Sequence, residues 1–220
     1  MTLTPLIVVP GTWSWPPSDD SWYEPTSPFS GYLATRGWTI ARGHGGRPFV
    51  WSTRATGYQI WDRLLGRQTQ MQADWAAAAT NLYAWVVPPL APESRLPPHQ
   101  TTILTHSHGI QVALLAAAQG LKIHTLIDIG GPVRKDIHDQ LTPEVRANIG
   151  YWWHFRGGED WWQRIGQLGD GTLRTPKIVQ QANVVQRVPK AGHNRVLNDS
   201  AWMPLLDGVL SYAQQRYNTP

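Results

Sequence analysis

The stretch Thr105-His106-Ser107-His108-Gly109 constrains the fold of this chain more than any other. An apolar run from Thr101 to Leu104 precedes it. Small and apolar residues follow it at helical spacing: Ile110, Ala113, Leu114, Ala117 and Ala118. This pattern predicts a buried strand that ends near the serine and a helix that begins directly after it. A serine at such a corner lies in a sharp turn with its hydroxyl exposed.

Further apolar runs predict that this strand belongs to a parallel sheet. Leu6 to Val9 is apolar at every position and closes with Pro10-Gly11, which is typical of a strand buried on both faces. Further strands are predicted over Trp38–Ala41, Leu126–Ile129, Tyr151–Phe155 and Asn183–Val188, and a short extended piece over Phe49–Thr53. Helices are predicted over Gln68–Trp85 and Pro143–Ile149. Residues 32–36 are predicted to close a further helix, with Gly37 as its stop, and Ser200 is predicted to cap a final one. Strands that alternate with helices favour an α/β fold, a mostly parallel central sheet with helices on both faces.

Length and composition limit the class of protein. With 220 residues and no linker, repeat or low-complexity tract, we expect a single domain over residues 1–220. The absence of cysteine excludes disulfides, a cysteine nucleophile and thiolate metal sites. Residues 1–10 do not resemble a signal peptide, and no apolar run is long enough to span a membrane. We therefore expect no stable membrane insertion and, by default, a cytoplasmic protein, with release by another route left open.

Charge and aromatic content raise two further hypotheses. The net charge of +4 and the sequence pI of about 9.6 invite a nucleic-acid partner. The basic residues are scattered rather than clustered, so we expect no nucleic acid. The chain also has 13 tryptophans. Large aromatics fill cores, but they also line apolar or sugar-binding clefts when they lie beside a reactive group.

Polar residues suited to catalysis follow three predicted strands. The strand at 103–105 leads to Ser107. The aromatic strand leads into Gly157-Gly158-Glu159-Asp160, and the last strand leads into Ala191-Gly192-His193. A serine needs a nearby base, oriented by a third group, to act as a nucleophile. Ligands bind outside the carboxyl ends of parallel strands, where all three loops begin. The alternative for Ser107 is a helix N-cap, and for His193 a structural hydrogen bond.

These pieces, together with Val8-Val9-Pro10-Gly11-Thr12-Trp13, resemble the α/β-hydrolase superfamily, and within it a small serine hydrolase of the lipase/esterase type. The matching pieces extend over nearly the whole chain and follow the family order of serine, acid and histidine. The resemblance implies that Thr105–Gly109 is the nucleophile elbow, which usually has a small residue at the position of Thr105. It also implies that Pro10 stands where many lipases have a histidine.

The resemblance also implies a role for each residue. Ser107 would attack an acyl carbonyl, His193 would carry the serine proton, and Asp160 would orient the imidazole. The backbone N–H groups of His108 and Thr12 would form the oxyanion hole, with Trp13 as the neighbouring alternative to Thr12. Asp170 is the main alternative acid, and Asp128 and Glu159 are minor ones. We expect some of four tryptophans to line the substrate cleft: Trp13, Trp15, Trp161 and Trp162.

The remaining histidines do not indicate a metal site. His106 and His108 flank the serine but would diverge across a sharp turn, so we predict no metal and no other cofactor. We expect His106 to pack under the elbow. Five others are interpreted as surface or local hydrogen-bonding residues: His44, His99, His124, His138 and His154. Only about twenty residues separate the strands at 126–129 and 151–155, which leaves little room for a cap domain.

The sequence thus predicts a carboxylic ester hydrolase that works through an acyl-serine intermediate. The expected partner is a small-molecule, lipid or cell-wall ester. One alternative is an amidase or acyltransferase with the same triad. Another is a catalytically silent hydrolase fold that binds carbohydrate or protein. The physiological substrate, the oligomeric state and any covering of the site by the loop at 14–31 stay open.

Overall fold

A computed structural model describes residues 3–11, 23–43, 46–51, 68–87, 100–132, 137, 140–157, 181–188 and 203–217. Strands within these ranges are β1 (Thr4–Val9), β2 (Trp38–Ile40), β3 (Thr102–His106), β4 (Ile123–Ile129), β5 (Ile149–Gly157) and β6 (Val184–Val188). Helices within them are α1 (Pro28–Ala34), α2 (Gln68–Val86), α3 (Gly109–Ala118), α4 (Pro143–Ala147) and α5 (Met203–Tyr217).

The strands form one sheet in the order β2-β1-β3-β4-β5-β6. Every neighbouring pair is parallel, with Val9 opposite Thr105, Thr105 opposite Asp128 and Asp128 opposite His154. The chain leaves β1 toward one edge of the sheet and returns on the other side of β1 as β3. The carboxyl ends of β1 and β3 therefore form the topological switch point, where open parallel sheets bind ligands.

Helices cover both faces of this sheet, as the sequence predicts. On one face the apolar side chains of α2 and α3 pack against alternate residues of the central strands, including Ile7, Ile103, Leu126 and Trp152. On the other face α1 and α5 cover the intervening residues, including Leu6, Val8, Leu104 and Ile127. Because successive strand residues point to opposite faces, an apolar side chain at every position is needed, which explains the unbroken apolar runs.

Local signals fix the ends of the short helices. α1 begins after Ser27, whose hydroxyl accepts a hydrogen bond from the N–H of Ser30 at 3.1 Å, and Pro28 occupies its first turn. The chain then turns at Gly37, which has a φ of 77°. The predicted strands and helices in the described ranges are confirmed, with shifts at their ends.

The boundary differences have simple causes. α1 begins inside the stretch 14–31 that we expected to be a loop, because the Ser27-Pro28 start lies before the predicted residues 32–36. The helix predicted to reach Ile149 ends at Ala147, because Ile149 pairs with Ile123 as the first residue of β5. Residues 49–51 alternate between buried and exposed, but they form no strand.

Two further observations concern membranes and caps. None of the helices in the described ranges is both long and apolar enough to cross a bilayer. The described part of the connection between β4 and β5 contains α4, a helix of five residues, so that part of the chain holds no cap domain.

Candidate active site

Ser107 lies in the turn between β3 and α3 with a strained backbone. Its φ is 52°, the only positive value of a residue other than glycine in the described ranges. Its N–H donates to the carbonyl of Ile129 at 3.1 Å, and its carbonyl accepts from the N–H of Ile110 at 3.3 Å. Left-handed backbone is costly for a residue with a side chain and recurs at functional sites. This is the backbone expected of a nucleophile elbow, and the N-cap of α3 is His108 rather than Ser107.

Gly109 lets α3 start directly against the end of β1. A Cβ atom built on Gly109 would lie 2.2 Å from the carbonyl oxygen of Val9 and 2.8 Å from that of Pro10. No side chain fits in this space, so glycine is required by close packing of the helix on the strand. The close approach of strand and helix at this corner therefore falls on the glycine two places after the serine.

Gly11 brings the loop after β1 into contact with the serine. A Cβ atom on Gly11 would lie 2.8 Å from the Cβ of Ser107 and 3.4 Å from its hydroxyl oxygen. The two loops at the switch point therefore touch at the candidate nucleophile. Thr12, the next residue and the expected oxyanion donor, lies outside the described residues.

His108 follows the serine at the N-terminus of α3. Its backbone is helical, with φ −65° and ψ −9°, so its N–H belongs to the first turn, where N–H groups have no helical acceptor. Its ring is buried, with its centre 5.5 Å from that of Trp75 on α2. Helix α2 thus packs over the elbow. His106 ends β3 and is half-buried.

Thr105, the departure from the usual elbow pattern, has a polar partner inside the sheet. It is fully buried, and its hydroxyl donates to Oδ1 of Asp128 on β4 at 3.2 Å. The two residues face each other in register, on the side covered by α2 and α3. The close approach of α3 falls on Gly109 and β1, so a β-branched residue at 105 does not hinder it.

Asp128 and His154 form a buried pair beneath the carboxyl edge of the sheet. Oδ2 of Asp128 lies 2.5 Å from Nδ1 of His154, and the two residues are 0% and 1% exposed. Gly131 closes over the carboxylate, because a Cβ there would lie 2.2 Å from Oδ1. The interpretation of His154 as a surface or locally bonded residue is therefore wrong. That of His124 is confirmed, because its Nδ1 lies 2.9 Å from the hydroxyl of Thr125.

A second contact that the sequence did not indicate holds the loop after β1. The indole N–H of Trp51 donates to the carbonyl of Pro10 at 2.7 Å, in a buried hydrogen bond between residues far apart in sequence. Phe49 and Trp51 are buried on either side of exposed Val50, so this segment packs inward, which the three consecutive apolar residues do not indicate in the sequence.

The other predicted site residues lie outside the described residues. These are Asp160, His193, the alternative acids Glu159 and Asp170, and the tryptophans Trp13, Trp15, Trp161 and Trp162. β5 ends at Gly157, three residues before Asp160 in the sequence, and β6 ends at Val188, five residues before His193. Because the sheet is parallel, both strands have their carboxyl ends on the same side of the sheet as that of β3, which precedes Ser107. The described side chains include no group of three His, Asp or Glu that could hold a metal ion.

Comparison with known proteins identifies the fold. No protein-family model and no curated protein sequence matches this chain. Among solved structures, esterase PE8 superposes with a TM-score of 0.55 at 14% identity, covering 96% of this chain and 92% of that one. SOBER1 of Arabidopsis thaliana gives 0.55 at 14% identity, with 98% and 100% covered. Acyl-protein thioesterase 2 of Zea mays gives 0.51 at 12% identity, with 98% and 94% covered. The chain therefore has the α/β-hydrolase fold.

Proposed function

We propose that this protein is a serine hydrolase that cleaves carboxylic esters through an acyl-serine intermediate. The observation that carries the proposal is the strained Ser107, held at the switch point of the sheet in contact with Gly11. An ordinary surface or capping serine needs neither a left-handed backbone nor a glycine packed against it.

The proposed reaction begins with attack of the Ser107 hydroxyl oxygen on the acyl carbon. His193 takes the serine proton and returns it to the leaving alcohol, while Asp160 holds the ring and stabilises the imidazolium. Backbone N–H groups of His108 and Thr12 bind the oxyanion of the tetrahedral intermediate. Water then attacks the acyl-serine with His193 again as base, which releases the acid and restores the serine.

The position of Ser107 supports this role in physical terms. The turn places the serine just past the carboxyl end of β3 and at the start of α3. The N-terminal N–H groups and the dipole of that helix favour a developing negative charge. Esterase PE8 and the acyl-protein thioesterase, which have the same fold, support acyl-transfer chemistry on this framework. We therefore include thioesters beside oxygen esters among the candidate substrates.

Active-site labelling tests the proposal. A fluorophosphonate probe should label the wild-type protein and should not label Ser107→Ala. Ser211→Ala is the matched control, because Ser211 is an exposed serine on α5, and it should label like the wild type. A panel of p-nitrophenyl esters and acyl thioesters of rising chain length then defines the acyl preference. Equal labelling of Ser107→Ala and wild type would exclude Ser107 as the nucleophile.

The catalytic acid is tested separately. Because triad members act as a unit, Asp160→Asn should lower kcat by orders of magnitude while Asp170→Asn leaves it near the wild-type value. Collapse of activity in Asp170→Asn with near-normal turnover in Asp160→Asn would transfer the role to Asp170.

A further inference from the structure

The carbonyl of Pro10 occupies a crowded position between the elbow and a distant aromatic side chain. On one side it packs against Gly109, where a Cβ atom would lie 2.8 Å from the carbonyl oxygen. On the other side it accepts the indole N–H of Trp51 at 2.7 Å. A backbone carbonyl buried at the start of a loop needs such a donor, because an unpaired buried acceptor is costly.

Trp51 is well placed to act as a rigid donor. It is buried in the apolar cluster under α2 and α3, together with Phe49 and Trp75. A ring packed in this way has little freedom to rotate, so its N–H points in a fixed direction. The donor comes from the segment after β2, which is the strand on the far side of β1 from the serine.

The orientation of the Pro10 carbonyl determines that of the loop that follows. A peptide group is planar, so fixing the Pro10 carbonyl also fixes the direction of the Gly11 N–H. Gly11 lies against Ser107, and its own carbonyl begins the peptide group that contains the N–H of Thr12. A glycine in this position has no side chain to restrict its backbone, so the loop depends on contacts from outside.

We infer that Trp51 is a positioning residue for the oxyanion loop. It acts through Pro10 rather than on the substrate, and it holds the Pro10-Gly11 backbone against Ser107. The inference rests on the proposed function, because it gives the loop after β1 a role in binding the oxyanion.

The test compares two tryptophans of the same apolar cluster. Trp51→Phe removes the indole N–H that donates to the carbonyl of Pro10. Trp152→Phe is the matched control, because Trp152 is fully buried and its indole N–H has no hydrogen-bond partner among the described residues. We expect kcat to fall roughly 10- to 100-fold in Trp51→Phe with KM within about twofold, less than the loss of a whole oxyanion donor. Trp152→Phe should keep the wild-type kcat.

Two further measurements separate positioning from a general packing defect. Replacing Trp51 by 3-benzothienylalanine keeps the ring shape but removes the N–H, so it should reproduce the fall in kcat. Inhibition by an arylboronic acid, whose adduct on serine presents a tetrahedral oxyanion, should weaken in proportion to kcat. Equal kcat values in the benzothienyl and wild-type proteins, or equal losses in the two Phe variants, would overturn the inference.

Failure of the inference can be told from failure of the proposed function. If Ser107→Ala abolishes activity while the Trp51 variants match Trp152→Phe, the hydrolase function stands and the role of Trp51 is wrong. If the wild-type protein neither binds the fluorophosphonate nor hydrolyses any ester of the panel, the proposed function itself is wrong.

Discussion

Two carboxylates in this protein have similar partners in opposite surroundings. Asp128 lies in the sheet between the hydroxyl of Thr105 and the ring of His154, with no exposed surface. Asp207 lies on α5 and contacts the hydroxyl of Tyr32, on α1, at 2.6 Å and the guanidinium of Arg36, which follows that helix. Each acid thus has one hydroxyl and one basic side chain as partners, but water reaches only the second group.

The exposed cluster is compact and well bonded. Arg36 contacts both carboxylate oxygens of Asp207, and its guanidinium carbon lies 3.8 Å from the centre of the Tyr32 ring. The hydrogen bonds from Arg36 and then Tyr32 lower the pKa of Asp207 below its usual value. Partial burial, and then the hydrogen bond to Asp207, raise the pKa of Tyr32. Even so, the charged side chains of Arg36 and Asp207 are 36% and 43% exposed.

We expect burial, rather than the kind of partner, to determine how much each cluster contributes to stability. A pair open to water is screened and is typically worth about 0–1 kcal/mol. In a buried pair the large free-energy term is the penalty that appears when one partner is removed and the other stays unpaired.

Two glycines show the same contrast between buried and exposed surroundings. Gly109 is enclosed by the backbone of β1, whereas a Cβ atom added to Gly208 on α5 would meet nothing within 4 Å.

The largest expected effect is on the buried carboxylate. Asp128→Ala should lower the free energy of unfolding by about 3–5 kcal/mol, because it leaves Thr105 and His154 without their acceptor in the interior. Asp207→Ala should lower it by no more than about 1 kcal/mol. Urea denaturation of both variants measures the difference. Equal losses would show that burial does not separate the two clusters.

The two glycines should respond to alanine in opposite directions. Gly109→Ala should destabilise the fold by about 1–3 kcal/mol and reduce fluorophosphonate labelling, because the new methyl group would displace the end of β1. Gly208→Ala, in the middle of α5, should stabilise the fold by about 0.5–1 kcal/mol. Thermal melting of the two variants checks both signs. A neutral Gly109→Ala would contradict the packing of α3 on β1.

Substitution of the strained Ser107 should reveal a trade-off between stability and activity. Ser107→Gly relieves the positive φ and should raise the free energy of unfolding by about 1 kcal/mol, while it abolishes labelling. Ser107→Ala keeps the strain and should be inactive without this gain. A Gly variant no more stable than the Ala variant would argue against strain at the elbow.

The smallest expected effect is the dependence of the exposed cluster on pH. Because folding lowers the pKa of Asp207, the pair adds stability above the ordinary carboxyl pKa of 3.8, and this contribution is lost as the pH falls through the folded-state value. The difference in stability between wild type and Asp207→Asn should therefore be present at pH 7 and shrink toward pH 3. A stability difference that grows as the pH falls would contradict this prediction.

Much of the fold can be predicted from local pattern. The apolar runs locate the six strands, and the serine-to-helix corner locates the elbow, since both depend on residues close in sequence. The end of the helix before β5 is not predictable in this way, because Ile149 pairs with Ile123, a contact that no local propensity encodes.

The polar interior and the contact that holds the loop after β1 lie beyond local pattern. Thr105, Asp128 and His154 meet only because β3, β4 and β5 pair in one register, which depends on the whole sheet. Taken singly in the sequence, Asp128 is a minor candidate for the acid and His154 a surface or local hydrogen-bonding residue. Trp51 is one aromatic residue among many until the fold places it against Pro10.

The strand order has a consequence for how the protein folds. The strands from β3 to β6 pair in chain order, each with the next one along the chain, whereas the pairing of β1 with β3 joins residues separated by almost half the chain. Loop closure disfavours the long-range pairing, so we expect the β1–β3 contact to form late. Pulsed hydrogen exchange during refolding should protect the amides of β4 before those of β1, and the reverse order would contradict this. Because Gly11 and Ser107 meet across the β1–β3 contact, recovery of the proposed hydrolase activity would report this late step of folding.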